Sequence, residues 1–410
     1  MKKMSDKTSG RVMRHLLLVI AAASAVAGGC NKFTNSYRAD HGLPPCEYTA
    51  SLDSLFTSLF PDAQPGAIVT VMRNDTIIYN HAFGLARLDS SVYITDSTLF
   101  NLASASKSFC SAAILKLCEQ GTLSLDDSLS KYFPEFNNKL FDRIQIRNIL
   151  THSSGLPDLR PSDLQEWNKY VKNHETVFSE GPDYRLYGSE KEHMQIFRDL
   201  GANDYIPSTE YQRTDPAFIL VVPLIERVTG RDFDSWMSDN IFKPAGMTDT
   251  YYYNPGCTLP RMAHGYRRTN GNTRAGVFRS TDGRWEEYDY GEADYFLTKA
   301  DRGAYSSARD FMRWNRALYS GKIISKQSLD SINTSYLTTA DEPNVTYGFA
   351  NAIENIPGKP IKIYHLNTNG GFSITEATIP ERKISYLIFA TRADWDQRGV
   401  FDKVDSILLK

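Results

Sequence analysis

The sequence predicts one α+β domain of two lobes. An α/β lobe is assembled from both ends of the chain, about 48–103 and 300–410, and a mostly helical lobe, about 104–299, is inserted between them. Two observations carry this prediction. Apolar, β-branched runs stand near both ends, at 67–83 and again at 361–390, whereas the stretch between reads as helix and long loop. The chain also has the material for a large core: 410 residues, 41% hydrophobic and 12% aromatic. Its 26 Gly and 18 Pro are too few for a collagen-like or low-complexity chain, and no internal repeat is visible.

The elements follow in chain order. Residues 1–15 carry Lys2, Lys3, Lys7, Arg11 and Arg14 against Asp6 alone, and Leu16–Ala27 is apolar except for Ser24. A basic stretch followed by a short apolar one is a signal-peptide pattern, well under the roughly 20 residues of a membrane span. Ala27-Gly28-Gly29-Cys30 then resembles a bacterial lipoprotein box, in which Cys30 is lipidated and becomes the mature N-terminus. Removal of residues 1–29 would leave a net charge of −6. The expectation is an exported lipoprotein of the bacterial cell envelope, in the outer membrane or facing the periplasm, held to the membrane by its N-terminal lipid. Ordinary cleavage with Cys30 incidental is the alternative. Residues 30–47 read as the lipidated Cys and a polar tether, and 48–410 as the folded domain.

Leu52, Leu55, Phe56 and Leu59 fall at helical spacing and predict an amphipathic helix over 49–60, broken by Pro61–Gly66. Ala67–Met72 and Thr76–Phe83 flank Asn74-Asp75, a hairpin signal. Phe109–Cys118 predicts an apolar helix stopped at Gly121, and Ile219–Val228 a helix ended by Thr229-Gly230. Residues 264–295 are rich in Gly, Arg, Tyr and Asp and show little periodicity. Three strands follow, Ile361–His365, Phe372–Ile379 and Ile384–Ala390, the last two joined by a turn at Pro380–Lys383. A helix over about 396–409 carries Val400, Phe401, Val404 and Ile407.

Cys110 and Cys118 are eight residues apart on one predicted helix. That is about 12 Å, too far for a disulfide. Cys46 and Cys257 are a pairing that an oxidising compartment permits. There is no Cys-x-x-Cys, and the histidines, His81 and His193 among them, form no metal-spaced cluster, so neither a metal nor a cofactor is expected. A net charge of −2 without a basic stripe argues against a nucleic-acid partner.

The chemistry centres on Ser104-Ala105-Ser106-Lys107, an S-x-x-K motif. The motif alone is weak, and Ser128-Leu129-Ser130-Lys131 repeats it in a connecting loop. Ser104, however, follows the extended run Thr98–Leu102 and opens a buried helix. Residues three apart on a helix share a face, so Lys107 can reach the Ser104 hydroxyl. First-turn N–H groups and the helix dipole favour negative charge there, which suits a serine that becomes an alkoxide and then holds an acyl oxyanion. The competing reading is that Ser104 merely caps the helix.

From about 48 to 395 the chain resembles the serine β-lactamase and penicillin-binding-protein superfamily, particularly the branch related to class C β-lactamases and D-Ala-D-Ala carboxypeptidases. The matching landmarks are Asn101-Leu102-Ala103-Ser104-Ala105-Ser106-Lys107-Ser108-Phe109, Gly121–Asp127, Ile149–Leu156, Ile225–Gly230, Ile241–Met247 and Gly303–Asp310, in that order. The resemblance implies a β-lactamase/transpeptidase-like fold, an antiparallel sheet flanked by helices with the inserted helical lobe. It also implies Ser104 as the acylated nucleophile and Lys107 as base or proton relay. His152 falls in a landmark that shapes a loop and reads as structural.

Two motifs depart from the pattern. Where the family has Tyr-x-Asn, counting back from Val228 places Arg213-Thr214-Asp215. An arginine cannot shuttle a proton, although a cation beside Lys107 would favour the neutral, basic amine; Asp215 is placed to cancel that effect, and Tyr211 to stand in for the missing Tyr. Where the family has Lys-Thr-Gly or His-x-Gly on a strand edging the site, this chain has His365-Leu366-Asn367, so a side chain stands where substrate would approach a glycine. A backbone N–H near Thr368 would complete the oxyanion site. Two functions remain open. One is a cell-envelope serine hydrolase acting through an acyl-enzyme on a small-molecule or peptidoglycan-peptide amide, a β-lactam or an ester, with activity reduced or redirected. The other is a catalytically impaired relative that binds an envelope ligand without turnover. The long 157–210 stretch is expected to line one wall and set specificity.

Overall fold

The computed structural model describes residues 43–136, 139–156, 211, 213, 215–252, 261–269, 278–288, 298–339 and 342–410. The signal segment, Cys30 with most of the tether, the 157–210 stretch and Cys257 lie outside the described residues. Among the described residues, Cys46, Cys110 and Cys118 are in no disulfide, and Cys110 is buried.

Eight strands form the central sheet. β1 (Ala67–Arg73) and β2 (Thr76–Phe83) come from one end of the chain. β3 (Leu337–Thr338), β4 (Val345–Tyr347), β5 (Ala352–Glu354), β6 (Lys362–Asn369), β7 (Phe372–Ile379) and β8 (Ile384–Ala390) come from the other. Their order is β3-β4-β5-β6-β7-β8-β1-β2, and each neighbouring pair is antiparallel. The ends of the chain meet where β1 lies along β8, with Ala67 opposite Ala390 and Arg73 opposite Ile384.

Helices cover both faces, which is why β1 and β8 read as apolar runs rather than alternating ones. Ile384, Tyr386, Ile388 and Ala390 of β8 pack with α1 (Thr49–Leu59) and α5 (Gln397–Leu408). Leu387 and Phe389 point the other way, into the core shared with α2 (Ser106–Glu119), α3 (Val221–Thr229) and α4 (Ala308–Tyr319). All seven residues of β8 are buried. The predicted amphipathic helices take the faces their spacing dictates: Leu52 and Phe56 of α1, and Val400, Phe401 and Val404 of α5, are buried, with Leu408 joining them and Ile407 packed at the margin. Asp396 caps α5 by accepting from Gly399 N at 2.9 Å.

The structure differs from the sequence expectation in three places. β6 continues past His365 to Asn369, because Gly370-Gly371 makes a two-residue turn that brings Asn369 opposite Phe372. Gly370 has φ +55°, and a Cβ on Gly371 would stand 2.0 Å from the Tyr266 nitrogen, so only glycine fits that approach. The helix expected over 219–228 begins as a 3-10 turn at Asp215–Leu220 before becoming α3. Within 264–295, Tyr266–Arg268 pairs with Trp285–Glu287, and Tyr266 N donates to Thr391 O at 2.9 Å. This short strand pair is therefore fastened to the end of β8, within a stretch whose sequence shows little periodicity.

Candidate active site

Ser104 lies in a 3-10 turn, Ala103–Ala105, that runs directly into α2. The N-cap positions of the turn and of α2 are Leu102 and Ala105, so Ser104 is the capping residue of neither. Ala103, just before it, has φ +48°, a left-handed conformation that costs a non-glycine residue about 1–2 kcal/mol. The Asn101 side chain holds this conformation. Its Oδ1 accepts from Ala103 N at 2.9 Å and from Asn369 Nδ2 at 3.0 Å, and its Nδ2 donates to Arg302 O at 3.1 Å. Asn101 is 1% exposed. The turn thus rests on α2 behind and on β6 at its side, with Asn369 as the link.

Lys107, in the first turn of α2, is 1% exposed. Its Nζ lies 2.9 Å from Ser104 Oγ and 3.1 Å from Asp301 O, and 5.5 Å from the centre of the Phe218 ring. The hydroxyl and the amine therefore meet as the one-turn spacing predicted. On the more exposed side of the serine, Arg213 Nη2 donates to Ser104 Oγ at 3.2 Å and to Asn367 Oδ1 at 3.4 Å. Arg213, reached by counting back from Val228, thus touches the same Ser104 oxygen as Lys107.

These groups open on a cleft of about 430 Å³. Ser104, Lys107, Arg213, His365 and Asn367 line it together with an aromatic wall. In that wall the Tyr211 ring lies 4.9 Å from Tyr347 and 5.9 Å, edge-on, from His152. His152 also packs against Phe218 at 5.2 Å and Tyr347 at 5.1 Å, in keeping with a loop-shaping role. Tyr364, at the same wall, is pushed up to about 12 by burial and stays a neutral phenol.

His365 lines the cleft, but both of its ring nitrogens are committed. Nδ1 lies 2.6 Å from Glu376 Oε1 and Nε2 2.6 Å from Ala350 O. Two acceptors at that range leave His365 to brace the strand rather than to present a nitrogen to substrate. Asn367 Nδ2 is buried and has no hydrogen-bond partner among the described residues. Thr368 lies opposite Ser373 on β6, exposed, and its side chain does not join the cleft lining. The backbone of Asp215 starts the 3-10 turn; its side chain lies outside the described part. Among the described residues no group of three His, Cys, Asp or Glu is placed to hold a metal ion.

Among the described residues, β6 pairs with β5 from Lys362 to Tyr364. Beyond that pairing, His365, Leu366 and Asn367 line the cleft. Sequence reasoning missed Asn101, Asn369, Phe218 and Tyr347. A signal existed for Asn101 alone, since an Asn two residues before a strained turn is a typical side-chain-to-backbone hydrogen-bonding position.

Comparison with known proteins agrees with this geometry. The Beta-lactamase family profile matches residues 55–407. Penicillin-binding protein 4* of Bacillus subtilis is 26% identical over 329 residues, covering 78% of this chain and 67% of that protein. A putative D-alanyl-D-alanine carboxypeptidase of Escherichia coli O157:H7 is 26% identical over 362 residues, covering 82% of this chain and 79% of the relative. Among solved structures, the octameric penicillin-binding protein homologue from Pyrococcus abyssi superposes with a TM-score of 0.70 at 22% identity, over 88% of this chain and 77% of its own.

Proposed function

Because the chain belongs to the Beta-lactamase family, we propose that it is a cell-envelope serine hydrolase that works through an acyl-enzyme on a peptidoglycan peptide, a β-lactam or an ester. The observation that carries this reading is the 2.9 Å contact between Lys107 Nζ and Ser104 Oγ at the floor of an open cleft. A general base must stand within hydrogen-bond reach of the proton it takes, and Lys107 does. The neutral amine removes the hydroxyl proton as Oγ adds to the substrate carbonyl. The Ser104 N–H and a β6 N–H near Thr368 hold the oxyanion, and the acyl group stays on Ser104 until water releases it. Arg213, donating to the same oxygen, sets a second positive group beside the serine.

The basic and apolar N-terminal stretch ending in Cys30 supports an envelope lipoprotein, anchored through that cysteine. Cys30→Ser should move the protein from the membrane fraction to the soluble one. The hydrolase reading is tested by labelling with a fluorophosphonate and a fluorescent penicillin, followed by peptide mass spectrometry. We expect an adduct on Ser104 that disappears in Ser104→Ala, and labelling slowed about 10²–10⁴-fold in Lys107→Ala. A folded protein that neither probe labels overturns the reading and favours a ligand-binding relative.

A further inference from the structure

The cation that the proposed steps use least is the one nearest the incoming substrate. We infer that Arg213 makes this site an esterase rather than an amidase: the preferred acyl donors are esters with an apolar acyl group. The inference rests on the serine-hydrolase reading. It follows from what the two groups on Ser104 Oγ can do with a proton. Lys107 is almost wholly buried behind the serine and is also held by the Asp301 carbonyl. Arg213 is exposed and donates to Oγ at 3.2 Å, so an acyl donor that enters the cleft meets its guanidinium beside the serine. A guanidinium has no acceptor and remains protonated, so it offers hydrogen bonds and charge but passes no proton on.

Esters and amides need different things at that point. When the tetrahedral adduct collapses, the C–N bond of an amide breaks only as the nitrogen gains a proton. The C–O bond of an ester breaks with its electron pair left on the departing alkoxide, and a fixed cation stabilises that developing charge. In acylation the neutral Lys107 takes the Ser104 proton, the Oγ–C bond forms, and the carbonyl pair moves onto oxygen. On collapse the C–O bond to the leaving group breaks, and the alkoxide, paired with Arg213, is protonated afterwards by the Lys107 ammonium through water. Water then adds to the acyl carbon, its proton passes to Lys107, the C–Oγ bond breaks, and Ser104 recovers the proton. The sum is ester plus water to acid plus alcohol. The cleft wall of Tyr211, Tyr347 and His152 is suited to an apolar acyl group.

The test uses a matched pair with one acyl group, methyl phenylacetate and N-methylphenylacetamide, with phenylacetate release followed by mass spectrometry. Fluorophosphonate titration counts competent Ser104 in every sample. Three forms are compared: wild type, Arg213→Tyr and Arg213→Lys. The wild type should turn over the ester with amide release below detection. Arg213→Tyr restores a group that can pass a proton to nitrogen, and should lower the ester-to-amide ratio of kcat/KM by at least about tenfold, within the range of general acid catalysis. Arg213→Lys keeps a cation and should keep ester selectivity. A wild type that cleaves both substrates at similar rates, or a ratio unmoved by Arg213→Tyr, overturns the ester assignment while titration still marks Ser104 as reactive. Absence of both labelling and turnover overturns the hydrolase reading, and this inference with it.

Discussion

Replacing Asn101 by Ala probes how Ser104 is held. The side chain satisfies three buried groups: the Ala103 N–H, the Asn369 amide and the Arg302 carbonyl. Each, left without a partner, costs about 1–3 kcal/mol. The ceiling is then about 9 kcal/mol, and water entering the vacated space recovers part of it, so we expect a loss of about 3–5 kcal/mol. A second consequence is specific to the site. Ala103 is kept at φ +48° by the bond to Asn101, and strain of this kind stores about 1–3 kcal/mol. Once released, Ala103 relaxes toward negative φ and carries Ser104 Oγ away from Lys107. A displacement of about 1 Å costs on the order of 10² in rate. Chemical denaturation reads the first effect, and the second-order rate constant of fluorophosphonate labelling reads the second. Adding Ala103→Gly to Asn101→Ala should restore part of the labelling rate, because glycine holds positive φ without strain. An Asn101→Ala protein within about 0.5 kcal/mol of wild type that labels at the wild-type rate would refute the reasoning.

Two further predictions concern the scaffold. Glu354 is buried against Lys362 and Arg398, each at 2.6 Å. Burial works to raise its carboxyl, but these two cations outweigh burial and hold it below the ordinary 4.5. Its contribution to stability is therefore present above pH 4.5 and lost as pH falls through the lower folded-state value. Glu354→Gln should flatten the acid limb of a stability-against-pH curve in that window, and Glu354→Ala should cost about 3–5 kcal/mol at neutral pH; an unchanged acid limb in Glu354→Gln would count against the assignment. Phe389 is fully buried between Phe100, at 5.8 Å, and Phe311, at 5.4 Å. Phe389→Ala should destabilise by about 3–5 kcal/mol in denaturant titration, and a loss under about 1 kcal/mol would mean that the site collapses around the cavity.

What the sequence made legible was what periodicity and fixed spacing encode. β1, β2, β7 and β8 are apolar runs long enough to be seen, and α1 and α5 carry their buried stripes in plain order. The pairing of Ser104 with Lys107 follows from helical geometry, and the place of Arg213 from its distance to Val228. The end of β6 was hidden because Asn367-Thr368-Asn369 has no apolar alternation to reveal it. Strands of three residues, such as Tyr266–Arg268 and Trp285–Glu287, are shorter than any pattern can register. The bond from Asn369 to Asn101 joins residues 268 positions apart, and only the tertiary fold brings them together. For His365, sequence could locate the ring at the site but could not tell that Glu376 and Ala350 already claim both nitrogens.

The meeting of β1 with β8 fixes when this molecule is able to fold. Ala67 has no neighbour on that side until Ala390 has been synthesised. At about 5–20 residues per second a ribosome takes roughly 16–65 s to travel that far. Throughout that interval the nascent hairpin of β1 and β2 offers Ile68, Val69 and Val71 on an open edge, an invitation to pair with another nascent chain. Loss of even the last few tens of residues would leave that edge open for good. A premature stop late in the coding sequence should therefore yield an aggregating protein rather than a shortened, soluble one.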